Sequence, residues 1–187
     1  MTRVHHTNNQ NDSNKLTSLQ NDLKIDSTVF FKGKNATKAQ WYDFELAKDL
    51  DFWRFSDNPC IEDKKGEFLE IPIANTKVYP SFFWKFVFIK KSGLKKHKAH
   101  GDGYASSTSN IQIKRLLTKP SFSVVSMDGY KASLLNKAYK IYSKDNKESF
   151  VIIGHPKAFT DYSLNKFEKF ISDKLKTEDA VKLFSQI

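Results

Sequence analysis

The chain has 187 residues, enough for one domain with a sizeable core but too few for two comfortable ones. Hydrophobic residues make up 39% of the sequence and aromatic residues 14%, a composition typical of a globular protein rather than a disordered one. The longest apolar cluster, residues 82–89, is broken by Lys85 and falls short of the roughly 18 apolar residues that a membrane span needs. Because residues 1–15 are also polar and unlike a secretory signal, we expect no membrane partner and a cytoplasmic location.

The formal net charge is +10, from 31 Lys and Arg residues against 21 Asp and Glu residues. Clusters such as Lys90-Lys91 and residues 95–98 are able to attract a polyanion. The other lysines are spread along the chain, many of them beside acidic residues on the polar faces of predicted helices, which favours a solvated surface. We therefore do not expect nucleic acid to be the partner. The single cysteine, Cys60, excludes an intrachain disulfide and a thiolate zinc cluster.

The first part of the chain has little clean periodicity. We assign residues 1–12 to a polar lead-in and residues 13–187 to a single domain, which begins with a short helix capped by Ser13. Strands are expected at 25–31 and at 68–73. The aromatic-rich segment between them has no regular pattern and is expected to be a long, ordered loop.

The second part is clearer towards its end. Residues 81–89 fit either a helix or a buried strand, and 93–109 form a loop before a helix that Pro120 ends. Strand 122–126, helix 131–142, strand 150–153, a helix from Thr160 or Asp161 to Leu175 and a final helix from Thr177 then follow in order. The alternation of strands and helices with short joints predicts an α/β fold with parallel βα units in the last third.

His155 is the strongest candidate for a chemical role. It follows the apolar strand 150–153, and functional side chains of βα folds cluster at the carboxyl ends of strands. A histidine there can act as a general acid or base near neutral pH, especially if a carboxylate sets its tautomer. Asp26 fits less well, since it lies near the start of its predicted strand. The alternative for His155 is a packed residue bonded to a nearby backbone carbonyl.

Several segments resemble a known family. The run from Val151 to Glu168, in which a strand ends in Gly-His-Pro before a helix, is similar to the closing motif of polysaccharide deacetylases of the carbohydrate esterase type. The resemblance covers roughly residues 13–175. Upstream, residues 23–30 are similar to the strand that follows the arginine motif of that family. Three further segments resemble, in the same order, parts of a bacterial glycan-biosynthesis branch of the family: 42–44, 52–59 and 66–73.

The resemblance implies a fold and a reaction. The fold would be an incomplete distorted (β/α) barrel, and the reaction the removal of N-acetyl groups from a glycan in cell-envelope or surface-polysaccharide metabolism. In the family, a late histidine acts as acid on the leaving amine, a role that falls on His155. Asp26 would be the carboxylate that orients or charges that histidine.

The metal-binding half of the family pattern is absent. There is no Thr-Phe-Asp-Asp motif and no His-x-x-x-His pair in the chain. The family uses a divalent metal such as zinc, so we expect no metal ligands and no cofactor in this chain. The chain is then either a fragment of a longer gene or a diverged relative without its metal, and we expect it to be inactive on its own.

The remaining candidates are expected to contact a glycan substrate. They are Trp53 and Arg54, which suit stacking on a sugar, and His100 and Asp102 in a glycine-containing loop. The structural alternatives are that Arg54 only stabilises its own loop and that residues 100–103 form an ordinary glycine turn. A different class of function also stays open: a non-catalytic basic protein that binds a polyanion, an acidic glycan or a nucleic acid, through Lys90–Lys98. The oligomeric state is left open.

Overall fold

The structure, a computed structural model, describes residues 24–36, 41–102 and 110–175. The chain divides into two compact units between Ile73 and Ala74. The first contains strands Ile25–Asp26 (β1), Lys34–Ala36 (β2), Trp41–Asp43 (β3), Trp53–Phe55 (β4) and Phe68–Glu70 (β5). The second contains strands Asn75–Val78 (β6) and Ser121–Val124 (β7) and helices Pro80–Ser92 (α1), Asn110–Thr118 (α2), Leu135–Lys144 (α3) and Asp161–Leu175 (α4). Short 3-10 helices occupy Lys95–His97, Gly129–Leu134 and Pro156–Ala158.

The first unit is built on a three-stranded sheet in the order β1-β5-β4, beside the hairpin β2–β3. β1 runs parallel to β5, and β4 runs antiparallel to it. In β4 the side chains alternate: Trp53 and Phe55 are buried and Arg54 is exposed, as the two-residue period of a strand requires. The inward residues join a core that consists of Val29, Phe44, Ala47, Trp53, Phe55 and Cys60.

The second unit combines an antiparallel strand pair with helices and an isolated parallel bridge. β6 and β7 pair antiparallel, and just beyond β7 a parallel bridge joins Ser126 to Ile153. The 129–134 turn and α3 connect the two bridged segments, which therefore run in the same direction. The core of this unit consists of Ala74, Val125, Ala132, Leu135, Ala138 and Phe170.

Helix α4 begins with a reciprocal cap. The Thr160 hydroxyl accepts a hydrogen bond from the Ser163 amide at 3.1 Å, and the Ser163 hydroxyl accepts one from the Thr160 amide at 2.9 Å. Two amides that the helix cannot satisfy internally are thereby paired. Of the two cap residues that the sequence allows, Thr160 fills the role.

The predicted helices agree with the structure more closely than the predicted strands do. The helices at 110–118 and 161–175 are confirmed, and the ambiguous segment 81–89 is helical within α1. The strands predicted at 25–31 and 68–73 are shorter, two and three residues long. The helices predicted after Ser13 and from Thr177 lie outside the described residues.

Residues 150–153 depart most from their predicted form. They were expected to be a strand buried on both faces, but all four are only partly buried, and only isolated bridges form, at Val151 and Ile153. Their backbone bonds go to different neighbours: Val151 accepts from Ala74, and Ile153 accepts from Met127. No continuous ladder with a single strand results.

The described strands form small sheets of two or three strands and not a closed barrel. The fold is therefore mixed α/β over the part of the chain that the structure describes.

Candidate functional site

The His155 side chain lies exposed just beyond the Ser126–Ile153 bridge, with 62% of its surface accessible. Its ring nitrogen Nδ1 is 2.8 Å from Oδ2 of Asp128. Its backbone amide donates a 2.7 Å hydrogen bond to Oδ1 of the same carboxylate. Asp128 therefore fixes both the loop and the ring of His155.

Asp128 reaches this position because of the parallel bridge. Ser126 and Ile153 face each other across the bridge, and Asp128 and His155 each follow two residues later. The Asp128 amide also donates to the buried hydroxyl of Ser126 at 2.9 Å, which holds the turn close to the bridge. The carboxyl ends of two parallel segments thus place an acid and an imidazole at one edge.

The Asp128 carboxylate determines the tautomer of the neutral ring. A carboxylate is an acceptor only, so a neutral His155 ring carries its hydrogen on Nδ1 and keeps the Nε2 lone pair free. Within the described residues, Nε2 has no hydrogen-bond partner. The exposed nitrogen is therefore available to exchange a proton with a ligand.

Lys131 lies one turn after Asp128, and its amide donates to the Asp128 carbonyl at 3.1 Å. Burial lowers the pKa of Lys131, and the Asp128 charge opposes that shift. The carboxylate therefore contacts the His155 ring and acts electrostatically on the Lys131 amine.

A second histidine–carboxylate pair lies on the adjoining loop. His100 Nε2 is 2.8 Å from Asp161 Oδ1, and both side chains are exposed. The backbone amides of His100 and Gly101 donate to the carbonyls of Phe159 and Lys157. The predicted residues His100 and Asp102 thus lie beside the segment that follows His155.

Gly101 makes this approach possible. A Cβ atom at Gly101 would lie 2.8 Å from the Lys157 Cα, closer than side chains tolerate. On the same loop, Asp102 Oδ1 is 3.9 Å from Lys157 Nζ, a long and exposed ion pair that contributes little stability.

The other predicted site residues belong to the first unit. Trp53 is 5% exposed, and its indole N–H donates to the Pro59 carbonyl, so it is a core residue without a free face for a sugar. This burial argues against a role in substrate binding, which stays a prediction. Arg54 is exposed and donates to the Gly66 carbonyl at 3.4 Å, as the bracing alternative requires.

Asp26 has local partners in the first unit. Its carboxylate accepts hydrogen bonds from the Ser27 amide at 2.8 Å and the Thr28 hydroxyl at 3.1 Å. The carboxylate that contacts the His155 ring is Asp128, which the sequence analysis did not single out. The catalytic role of Asp26 stays a prediction.

Glu70 is an unpredicted carboxyl group next to Asp26 in the β1–β5 register. It is 0% exposed, and its Oε1 accepts hydrogen bonds from the amides of Thr28 and Val29. Burial, reinforced by the Asp26 charge, raises the pKa of Glu70 to about 8. Its other oxygen, Oε2, has no partner among the described residues.

The described residues do not fit the divalent metal of the deacetylase family. No group of three His, Cys, Asp or Glu side chains that could hold a metal ion occurs within 24–36, 41–102 and 110–175. In each of the two histidine–aspartate pairs, the carboxylate already contacts a histidine ring. The proposed chemistry therefore contains no metal-dependent step.

Comparisons with protein-family models, curated proteins and solved structures found no significant match to this chain. Among the described helices, none is long and apolar enough to cross a membrane.

Proposed function

We propose that this chain belongs to a hydrolase of the polysaccharide deacetylase type and that it supplies the proton-transfer residue, His155, for the removal of N-acetyl groups from a glycan. The proposal rests on the sequence resemblance around His155 and on one observation, the Asp128–His155 pair. The 2.8 Å contact at Nδ1 orients the ring and leaves Nε2 free at the surface.

The pair suits the departure of an amine. When the C–N bond of a tetrahedral intermediate breaks, the nitrogen needs a proton, because it leaves readily as a neutral amine and poorly as an anion. A protonated His155 can donate the hydrogen on Nε2 to that nitrogen. The ring then becomes neutral and keeps its Nδ1 hydrogen towards Asp128, the tautomer that the carboxylate already favours.

The neighbouring loop offers groups to hold the substrate. His100, Asp102 and Lys157 are exposed, and backbone hydrogen bonds tie their two loops together. Sugar hydroxyls are both donors and acceptors, so a loop with imidazole, carboxylate and ammonium groups can bind them in several ways. We propose that this loop contacts the glycan beside the acetylated nitrogen.

The test is a titration of the chain with N-acetylated chito-oligosaccharide, followed by NMR of the histidine rings. We expect the His155 and His100 ring signals to shift with saturation at millimolar ligand. His97 serves as an internal control, since its ring packs between Tyr130 and Tyr162 and should not move.

The deacetylated oligosaccharide is the matched ligand control and should produce weaker shifts. The proposal fails if the His155 signals do not move at any ligand concentration. It also fails if an oligosaccharide without N-acetyl groups shifts them equally.

A further inference from the structure

Helix α1 is strongly apolar, yet none of its residues is fully buried. Trp84 is 58% exposed and Phe88, one turn later on the same face, is 74% exposed. Large aromatic side chains usually lose most of their accessible surface on folding, because burial of apolar area is favourable. The two exposed rings therefore form an unusual apolar surface on the second unit.

The rings stand at the edge of an open groove of about 450 Å³, lined by Trp84, Lys85, Phe88, Ile89 and Tyr130. The Trp84 indole N–H donates to the Leu117 carbonyl at 3.1 Å, which holds the ring in place. Tyr130 stacks on Phe82 with ring centroids 5.4 Å apart. Trp84 and Tyr130 are thus held in position by neighbouring residues.

The same region is strongly basic. Residues 71–101 contain seven lysines and no aspartate or glutamate. At the carboxyl end of α1 and in the following turn, five lysines are exposed around the half-exposed Leu94, namely Lys90, Lys91, Lys95, Lys96 and Lys98. The exposed rings therefore lie next to a positively charged surface at the carboxyl end of α1.

We propose that α1 and the 3-10 turn after it bind the surface of an anionic lipid bilayer. Trp84 and Phe88 enter the headgroup region, where the amphipathic tryptophan ring is favoured, and the lysines face the lipid phosphates. Charge complementarity supports a negatively charged occupant and disfavours a second copy of this chain, whose net charge is +10.

A lipid surface fits better than an acidic protein. A protein partner is usually held by desolvated pockets with a hydrogen-bonded polar rim. This surface has protruding rings and lysine side chains that can follow a fluid layer of phosphates. We expect no membrane partner from the sequence because it contains no segment that could span a bilayer. That reasoning does not apply to a helix that lies on the bilayer surface.

The test is co-sedimentation of the chain with vesicles of phosphatidylcholine, with and without about 30% phosphatidylglycerol. We expect binding to the anionic vesicles alone. Phe88→Ala should weaken it about tenfold or more, by the lost burial of one ring. Lys95→Gln with Lys96→Gln should weaken it about 30-fold, from the attraction of two lysines.

The matched controls lie on α3, where Ile141→Ala and Lys140→Gln with Lys144→Gln change similar exposed residues and should leave binding intact. Circular dichroism checks that each variant folds. Anionic binding that Phe88→Ala does not weaken would overturn the proposal. Equal binding to neutral vesicles would also overturn it. If polyglutamate, RNA or an acidic glycan binds through the same residues while vesicles do not, the surface belongs to that partner and the lipid proposal fails.

Discussion

Asp128 holds the His155 loop with both of its carboxylate oxygens, one on the ring and one on the backbone amide. A single residue therefore sets the position and the tautomer of the exposed imidazole. Hydrogen bonds to a charged acceptor contribute more than neutral ones, and this carboxylate is only 21% exposed.

We predict that Asp128→Asn loosens this arrangement. The asparagine oxygen can still accept the His155 amide, but the ring loses a charged acceptor, so the free energy of unfolding should fall by about 1 kcal/mol. Nitrogen-15 NMR of the imidazole should show a mixture of the two tautomers in place of the single Nδ1–H form.

Asp102→Asn is the control for this variant, because the Asp102 carboxylate forms an ion pair with Lys157. It should leave the His155 ring signals as they are. An unchanged tautomer in Asp128→Asn would show that the carboxylate does not determine it.

Glu70 makes the first unit sensitive to pH. Its pKa is about 8 in the folded chain, above the ordinary value of 4.5. Between these two values the folded state holds a proton that the unfolded state releases, so stability falls as pH rises. The contribution is complete below about pH 4.5 and lost above about pH 8.

We predict that Glu70→Gln removes most of this dependence. Glutamine keeps an oxygen for the Thr28 and Val29 amides without a charge to desolvate. The wild-type chain should lose stability at up to about 1.4 kcal/mol for each pH unit between 5 and 8, and the variant should lose much less.

Urea unfolding of the first unit can be followed by tryptophan fluorescence in a Trp84→Phe background, where both remaining tryptophans precede Ile73. Asp63→Asn, which alters a partly exposed carboxylate that accepts a hydrogen bond from Ser56 in the same unit, is the control and should retain the decline. Parallel pH profiles for the wild type and Glu70→Gln would contradict the prediction.

Single residues could be predicted from the sequence where local pattern was enough. His155 was identified because Gly-His-Pro follows an apolar run. Asp128 was missed, because its role depends on Ser126 pairing with Ile153, 27 residues away. The burial of Trp53 could not be predicted, because an isolated aromatic residue looks the same in a core as on a sugar-binding surface.

At the level of elements, the Thr160 cap determines where α4 begins and therefore where the loop after His155 ends. Thr160 is 2% exposed and takes part in reciprocal bonds with Ser163. We predict that Thr160→Ala lowers the free energy of unfolding by about 1 kcal/mol, the usual effect of losing an N-cap. Chemical denaturation of the wild type and the variant measures it.

Thr118→Ala is the matched control at the other end of a helix. The Thr118 hydroxyl donates back to the Lys114 carbonyl in an exposed position, a bond that stabilises a helix little. Its loss should change stability by less than about 0.5 kcal/mol. Equal effects of the two substitutions would show that the Thr160 cap is not important.

The helices were easier to predict than the strands for a physical reason. A helix of nine or more residues repeats its apolar spacing over several turns, as α3 does with Leu135, Ala138 and the two tyrosines after them. The strands have two to four residues, so an alternating pattern has no room to appear. β6 was not predicted at all, since Asn75–Val78 is mostly polar and becomes buried only through its pairing with β7.

At the scale of the whole molecule, each unit has its own core and its own candidate carboxylates. The first unit contains Asp26 and Glu70, and the second contains Asp128 beside His155. The sequence resemblance combined Asp26 and His155 in one site on the basis of order along the chain. Such order gives no distance, which is why the pairing of His155 with Asp128 could not be predicted.

The last prediction concerns activity. We expect this chain alone to release no acetate from N-acetylated chito-oligosaccharides, with or without added Zn²⁺ or Co²⁺. The family's reaction uses water activated by a bound metal. The sequence has neither of the family's metal-binding motifs, and the described residues do not gather three potential ligands. His155 can supply a proton but cannot replace that nucleophile.

An enzymatic assay of acetate release over several hours tests this prediction, with His155→Ala as the matched control. The wild type and the variant should give the same background. Acetate release that a chelator abolishes would contradict the prediction and place a metal site in this chain. Ligand-induced shifts of His155 without acetate release are the expected combination, because the proposed proton donor is present and the residues that the structure describes gather no set of ligands for an activating metal.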